Sequence, residues 1–106
     1  MLRIYPVCLQ MVSDVRPLAD QIAQFDRNHA RQLRESSLSV PLNVAEGSGA
    51  RGGNRRTRYE TALSSARESL ANLEAACAAG YISQVPDPLR NRFNHIIGTL
   101  VKLVYP

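Results

Sequence analysis

The amino-acid sequence predicts an all-α fold, an antiparallel up-down-up-down four-helix bundle in which residues 1–106 form a single domain. Apolar residues make up 44% of the chain but aromatic residues only 6%, a balance that favours close helix packing over a β-sandwich. Apolar residues also recur at spacings of three and four in four segments, about 5–25, 27–46, 54–79 and 87–104. Because the connections are short, neighbouring helices are expected to run antiparallel.

The first helix is predicted by a single apolar stripe, which consists of Cys8, Met11, Val15, Leu18, Ile22 and Phe25. Pro6 suits the first turn, where its missing N–H is not needed. Pro17 falls inside the same segment and therefore predicts a bend in a helix that otherwise continues.

The second helix is expected to begin after Asp26, since aspartate is a favoured N-cap residue. It has two adjacent stripes, the first formed by Ala30, Leu33, Ser37, Val40 and Val44 and the second by Leu38, Leu42 and Ala45. Pro41 cannot donate a hydrogen bond to the carbonyl of Ser37, which predicts a local bend close to several serine hydroxyls.

The third helix is predicted to follow a glycine-rich connector at residues 47–53, with Asn54 as its cap. Its stripe has a strict four-three rhythm and consists of Tyr59, Leu63, Ala66, Leu70, Leu73 and Cys77. Gly80 followed by Tyr81 predicts a left-handed helix stop with a hydrophobic contact after it.

The fourth helix follows a proline-containing turn and is apolar over about half its circumference. Its first stripe is Leu89, Phe93, Ile96, Leu100 and Leu103, and its second is Ile97, Val101 and Val104. The second stripes of helices 2 and 4 exceed what one bundle core can hide, so the chain is predicted to form a homo-oligomer.

The net charge is +4, and almost all basic residues are arginines, whose planar guanidinium groups suit phosphate or carboxylate partners. Asp14 interrupts the apolar N-terminal segment before a signal peptide is complete, and no run is long enough to span a bilayer. We therefore expect a cytoplasmic protein without membrane contact.

Cys8 and Cys77 are expected to be unbridged, because parallel helices 1 and 3 place them at opposite ends.

No group of residues in the sequence predicts catalysis. The GSGARG segment at 47–52 satisfies G-x-G-x-x-G but follows a helix rather than a strand, so it is not a dinucleotide fingerprint. His29 and His95 lack cysteine or acidic residues at metal-ligand spacing. We expect a protein that is not an enzyme and that holds no cofactor or metal.

A cluster of arginines, Arg51, Arg55, Arg56 and Arg58, lies where helix 2 meets helix 3. Its side chains could pair with Glu46 across the connector, with Asn43 helping to hold backbone groups, or they could bind phosphates of a nucleic acid. The sequence leaves both alternatives open. Because no aromatic residue except Tyr59 lies near in sequence, any such binding is expected to be indifferent to base identity.

Three segments of the chain resemble a known family in order and spacing: SVPLNVAEG at 39–47, ALSSARE at 62–68 and GYI at 80–82. They are similar to a bacterial four-helix bundle family that includes proteins encoded in intervening sequences of the 23S rRNA gene. The residues that match its motif are Asn43, Glu46, Gly47, Ser65 and Glu68, whereas Ser64 stands where glycine is usual.

The resemblance implies an up-down bundle that assembles as a homopentamer. It also implies nucleic-acid binding and a reverse transcriptase as a protein partner, since accessory proteins of retroelements are relatives. From residues and resemblance together we predict a non-catalytic, oligomeric bundle that binds RNA or DNA through its arginines. The alternative is an oligomeric scaffold for a protein partner, in which the arginines are structural.

Overall fold

The computed structural model describes all 106 residues and contains four helices and no strand. The helices are α1 (Tyr5–Ala23), α2 (Arg27–Gly49), α3 (Gly52–Ala78) and α4 (Asp87–Val104). Helix α1 packs on α2, α2 on α3, α3 on α4, and α4 returns to α1. Because the connections between these neighbours are short, consecutive helices run antiparallel. This arrangement confirms the all-α four-helix bundle.

Two helix ends follow the local signals in the sequence. The Asp26 carboxylate accepts a hydrogen bond of 3.0 Å from the backbone N–H of His29 and so caps α2. At the end of α3, Gly80 has a φ of +80°, and the N–H of Tyr81 donates to the carbonyl of Ala76 at 2.9 Å. The predicted cap and the predicted left-handed stop are both confirmed.

The predicted flexible connector at 47–53 is wrong, because α2 continues to Gly49 and α3 already begins at Gly52. Only Ala50 and Arg51 lie between the two helices. Asn54 is inside α3 rather than at its cap, and Arg51 occupies the N-cap position without a side-chain hydrogen bond. The turn is short because Gly52 adopts a φ of +57°, which a residue with a Cβ rarely does.

The end of α1 and the two internal prolines differ from what the local sequence favours. Helix α1 ends at Ala23, before the predicted end at Phe25, because the N–H groups of Phe25 and Asp26 turn back to the carbonyl of Ile22. Pro17 and Pro41 both lie inside continuous helices.

One continuous core fills the bundle, and it is built mainly from the predicted first stripes. Its largest fully buried side chains are Phe93, Met11, Ile22, Leu33, Leu73, Leu89, Ile96 and Leu100. The second stripe of α4 is half-buried or buried within the same chain, whereas Leu38 and Leu42 on α2 are 50% and 61% exposed. The surplus apolar surface therefore lies on α2 and not equally on α2 and α4.

No helix combines the length and the apolar character needed to cross a membrane.

Both cysteines are free thiols. Cys8 is fully buried near the start of α1, and burial raises its pKa to about 12. Cys77 is half-buried near the end of α3.

Candidate nucleic-acid interface

The basic and acidic residues are distributed unequally along the bundle. We call residues 1–13, 39–64 and 97–106 the basic half; it holds the start of α1, the end of α2, the start of α3 and the end of α4. Six basic residues and two acidic residues lie there: Arg3, Arg51, Arg55, Arg56, Arg58 and Lys102, with Glu46 and Glu60. The remainder of the chain has seven basic and seven acidic residues, so the whole net charge of +4 lies in the basic half.

Contacts between distant parts of the chain build this half. The hydroxyl of Ser48 in α2 donates to the sulfur of Met1 at 3.5 Å. The guanidinium carbon of Arg56 in α3 lies 6.0 Å from the centroid of the Tyr105 ring, which follows α4. The connector arginines, the N-terminus and the end of α4 are therefore on one end of the molecule.

The four arginines of the predicted cluster are all exposed, but their partners differ. Arg58 lies 3.0 Å from a carboxylate oxygen of Glu46, which is the ion pair across the connector that the sequence suggested. Arg56 pairs with Glu60 at 3.2 Å, one turn along α3. These exposed pairs are weak, each contributing about 0.2–1 kcal/mol, so an incoming phosphate can compete for the guanidinium groups.

Two arginines of the cluster have no acidic partner. The Nε–H of Arg55 donates to the carbonyl of Ala50 at 3.0 Å, which satisfies an acceptor at the end of α2 and leaves the remaining guanidinium donors exposed. Arg51, in the connector, makes no ion pair or side-chain hydrogen bond. Both can meet an anion without breaking an existing ion pair.

An open cleft of about 700 Å³ lies beside the cluster. It is lined by Ala45, Glu46, Gly49, Ala50, Asn54, Thr57 and Arg58. Because Glu46 contributes a carboxylate here, an anion is better accommodated at Arg51 and Arg55, which do not line the cleft, than inside it.

The motif residues Asn43 and Ser65 hold α2 against α3. The side-chain amide of Asn43 donates to the carbonyl of Ser39 at 2.9 Å and to its hydroxyl at 3.0 Å. The Ser39 hydroxyl in turn lies 2.8 Å from that of Ser65. Asn43 thus holds a backbone group of its own helix, and the motif serine connects it to the next one.

Gly47 leaves room for a neighbouring ring. A Cβ on Gly47 would lie 2.4 Å from Cε1 of Tyr59, a side chain that is only 4% exposed. The interpretation of Gly47 as a helix end is therefore wrong, and its role is close approach of α2 to Tyr59. Glu68, the remaining motif residue, is exposed and forms no ion pair.

The aromatic residue near the arginines is not the expected one. Tyr59 is buried and cannot stack on a base, whereas Tyr105 is 62% exposed beside Arg56. The expectation that only Tyr59 lies near the arginines is wrong, because it considered neighbours in sequence alone. The antiparallel topology provides the missing signal, since it places the end of helix 4 beside the start of helix 3.

The two histidines lie outside the basic half. His29 is half-buried, and its Nε2 is 2.9 Å from the carbonyl of Asn72, while His95 is exposed on α4. No group of three or more His, Cys, Asp or Glu side chains is placed to hold a metal ion.

Comparisons with known proteins give a family and a fold. A sequence model of the family described as 23S rRNA-intervening sequence protein matches residues 1–102. The chain is also similar to a protein of unknown function from the S23 ribosomal protein family of Bacteroides thetaiotaomicron, with a TM-score of 0.83 and 17% identity over 97% of this chain and 99% of that one. At this identity the similarity shows the fold alone. No curated protein matches the sequence, and neither description above indicates catalysis.

Proposed function

The chain belongs to the 23S rRNA-intervening sequence protein family, and we propose that it is a non-catalytic, oligomeric bundle that binds RNA or other nucleic acid through its basic half. The observation that carries this proposal is the concentration of the entire net charge of +4 in exposed side chains at one end. A polyanion is attracted to such an end and oriented by it. We expect the protein in the cytoplasm, where both thiols stay reduced.

Contacts to phosphates provide affinity for nucleic acid that does not depend on base sequence. Arginines that replace condensed counterions release those ions into solution, so affinity falls steeply as salt is added. In a ring of identical subunits the basic half is repeated around one rim, and a single nucleic-acid chain can then contact several copies.

The double variant Arg55→Ala/Arg56→Ala tests this function. We expect weaker binding to RNA and to DNA, and a salt dependence that is flatter by about one unit of log–log slope for each lost phosphate contact. Filter binding at roughly 50 mM and 200 mM salt measures both quantities. The matched control is Arg27→Ala/Arg31→Ala, which removes the same charge from exposed residues of α2 at the opposite end. This control should bind as the wild type does.

Two results would contradict the proposal. Wild-type protein that binds neither RNA nor DNA at low salt would remove its basis. An Arg55→Ala/Arg56→Ala protein that loses helical content or assembly would show instead that these arginines are structural.

A second candidate function is an oligomeric scaffold for a protein partner, such as a reverse transcriptase. It is favoured by the Glu46–Arg58 pair, which gives one arginine of the cluster a structural partner within the chain. The same filter-binding experiment separates the two functions, because the scaffold needs no affinity for RNA.

A further inference from the structure

Tyr105 is an exposed aromatic residue in the basic half. Its backbone N–H donates to the carbonyl of Val101 at 2.8 Å, which fixes the residue at the point where α4 ends. Its side chain is nevertheless 62% exposed. An aromatic ring held in place by the backbone and left open to solvent is suited to stacking on a flat ligand.

The Tyr105 ring forms one wall of a cleft of about 300 Å³. The other walls come from one face of α3, at Glu60, Leu63, Ser64 and Arg67. Arg67 is exposed and forms no ion pair within the chain, and Arg56 lies 6.0 Å from the ring centroid. The cleft therefore combines an aromatic wall with the guanidinium group of Arg67, a hydroxyl and a carboxylate, and that carboxylate is paired with the neighbouring Arg56.

We propose that this cleft binds single-stranded nucleic acid by stacking one base on Tyr105, an inference that rests on the proposed function. Arg67 contacts one flanking phosphate, and Arg56 contacts the other in place of its exposed pair with Glu60. The released carboxylate of Glu60 and the hydroxyl of Ser64 then face the edge of the base. The base pairs of a duplex are stacked on one another, so their faces are not available to a protein side chain. The cleft thus selects unpaired bases, while the arginines of the connector attract any nucleic acid.

The stacking contact is expected to tolerate different bases, because every base has an aromatic face. It is also common to RNA and DNA, since the ring contacts the base and not the sugar. The group that can distinguish bases is Glu60, whose carboxylate accepts hydrogen bonds from an exocyclic amino group.

The variant Tyr105→Ala in the full chain tests the proposal. Loss of one base–aromatic stack should weaken binding to single-stranded RNA and DNA by about 5- to 150-fold, while binding to a duplex of equal length stays within about twofold. Tyr105→Phe retains an aromatic ring and should bind single strands as the wild type does. Phe25→Ala, which removes a 64% exposed ring at the opposite end, is the matched control and should leave binding to single strands and to duplex unchanged.

The outcomes separate this inference from the proposed function. Wild-type affinity of Tyr105→Ala for single strands, with weakened binding by Arg55→Ala/Arg56→Ala, overturns the stacking site and leaves the function in place. Equal loss on single strands and duplex also overturns stacking. Wild-type protein that binds no nucleic acid at low salt overturns both.

Discussion

Gly47 and Gly49 are two glycines of the same helix with opposite surroundings. A Cβ on Gly47 would lie 2.4 Å from the buried ring of Tyr59, whereas one on Gly49 would meet nothing within 4 Å. Forcing atoms into a packed core costs about 1–3 kcal/mol, and the better helix propensity of alanine offsets at most about 1 kcal/mol of this. We expect Gly47→Ala to lower the free energy of unfolding by about 1–2 kcal/mol and Gly49→Ala to leave it unchanged or slightly raised. Urea unfolding of the two variants measures this; a Gly47→Ala protein as stable as Gly49→Ala would contradict it.

Cys8 is a buried thiol, and its burial should make the stability of the protein depend on pH. Burial raises its pKa from 9.0 to about 12, so between these values the unfolded chain loses a proton that the folded chain keeps. Stability is therefore unaffected below about pH 9 and falls as pH rises above it, by up to about 1.4 kcal/mol per pH unit from this group. Urea unfolding between pH 8 and pH 11 should show a shallower decline for Cys8→Ala than for the wild type. Parallel curves over this range would show that the thiol is not shielded in the folded protein.

At the scale of the elements, hydroxyl pairs hold α2 against α3. Ser36 and Ser69 are buried, and their Oγ atoms are 2.8 Å apart. Each Oγ also lies within hydrogen-bond distance of a carbonyl of its own helix, Ser36 of Leu33 and Ser69 of Ser65. Since each hydroxyl has one proton, one serine donates to the other across the helices while the second donates to its own carbonyl. Such small side chains allow close helix approach while satisfying their own hydrogen bonds.

A double-mutant cycle on this pair tests its contribution. Ser36→Ala and Ser69→Ala should each cost about 0.5–1.5 kcal/mol of stability, because each removes one hydrogen bond and leaves the other hydroxyl with its backbone partner. The double variant should cost about the sum, because the pair makes two hydrogen bonds with its two protons and each substitution removes one of them. Urea unfolding gives all three values. A single substitution that costs as much as the double variant would mean that the remaining hydroxyl does not return to its own carbonyl.

The same elements show what sequence could and could not predict. The caps at Asp26 and Gly80 are local signals, and both were predicted correctly because the groups that satisfy the helix ends lie within a few residues. The connector was predicted incorrectly, since glycine has a high local tendency to end a helix. Gly47 instead lies inside α2, where a side chain would collide with the ring of Tyr59 in the next helix. Similarly, Tyr105 meets Arg56 only through the topology of the whole bundle.

At the scale of the whole molecule, the exposed apolar side chains are distributed differently from the charge. The net charge lies in the basic half, whereas exposed leucines along α1 and α2 lie both inside it, at Leu9 and Leu42, and outside it, at Leu38. Exposed apolar surface of this kind is usual at contacts between subunits. We therefore propose that copies of the chain associate through the α1–α2 face, and the resemblance suggests five of them.

The variant Leu38→Gln/Leu42→Gln tests this association. Both side chains are at least half exposed, so the substitution should leave helical content and the fold of one chain unchanged while it removes the apolar contact between copies. Light scattering at micromolar concentration should give an oligomer for the wild type and a smaller species for the variant. Leu103→Gln, on α4 and 38% exposed, is the control and should assemble normally.

In the double variant, RNA affinity should fall together with assembly, because one nucleic-acid chain then meets a single basic half instead of several. A wild type that scatters as a monomer would refute the association, and assembly lost by Leu103→Gln but kept by the double variant would move it to α4.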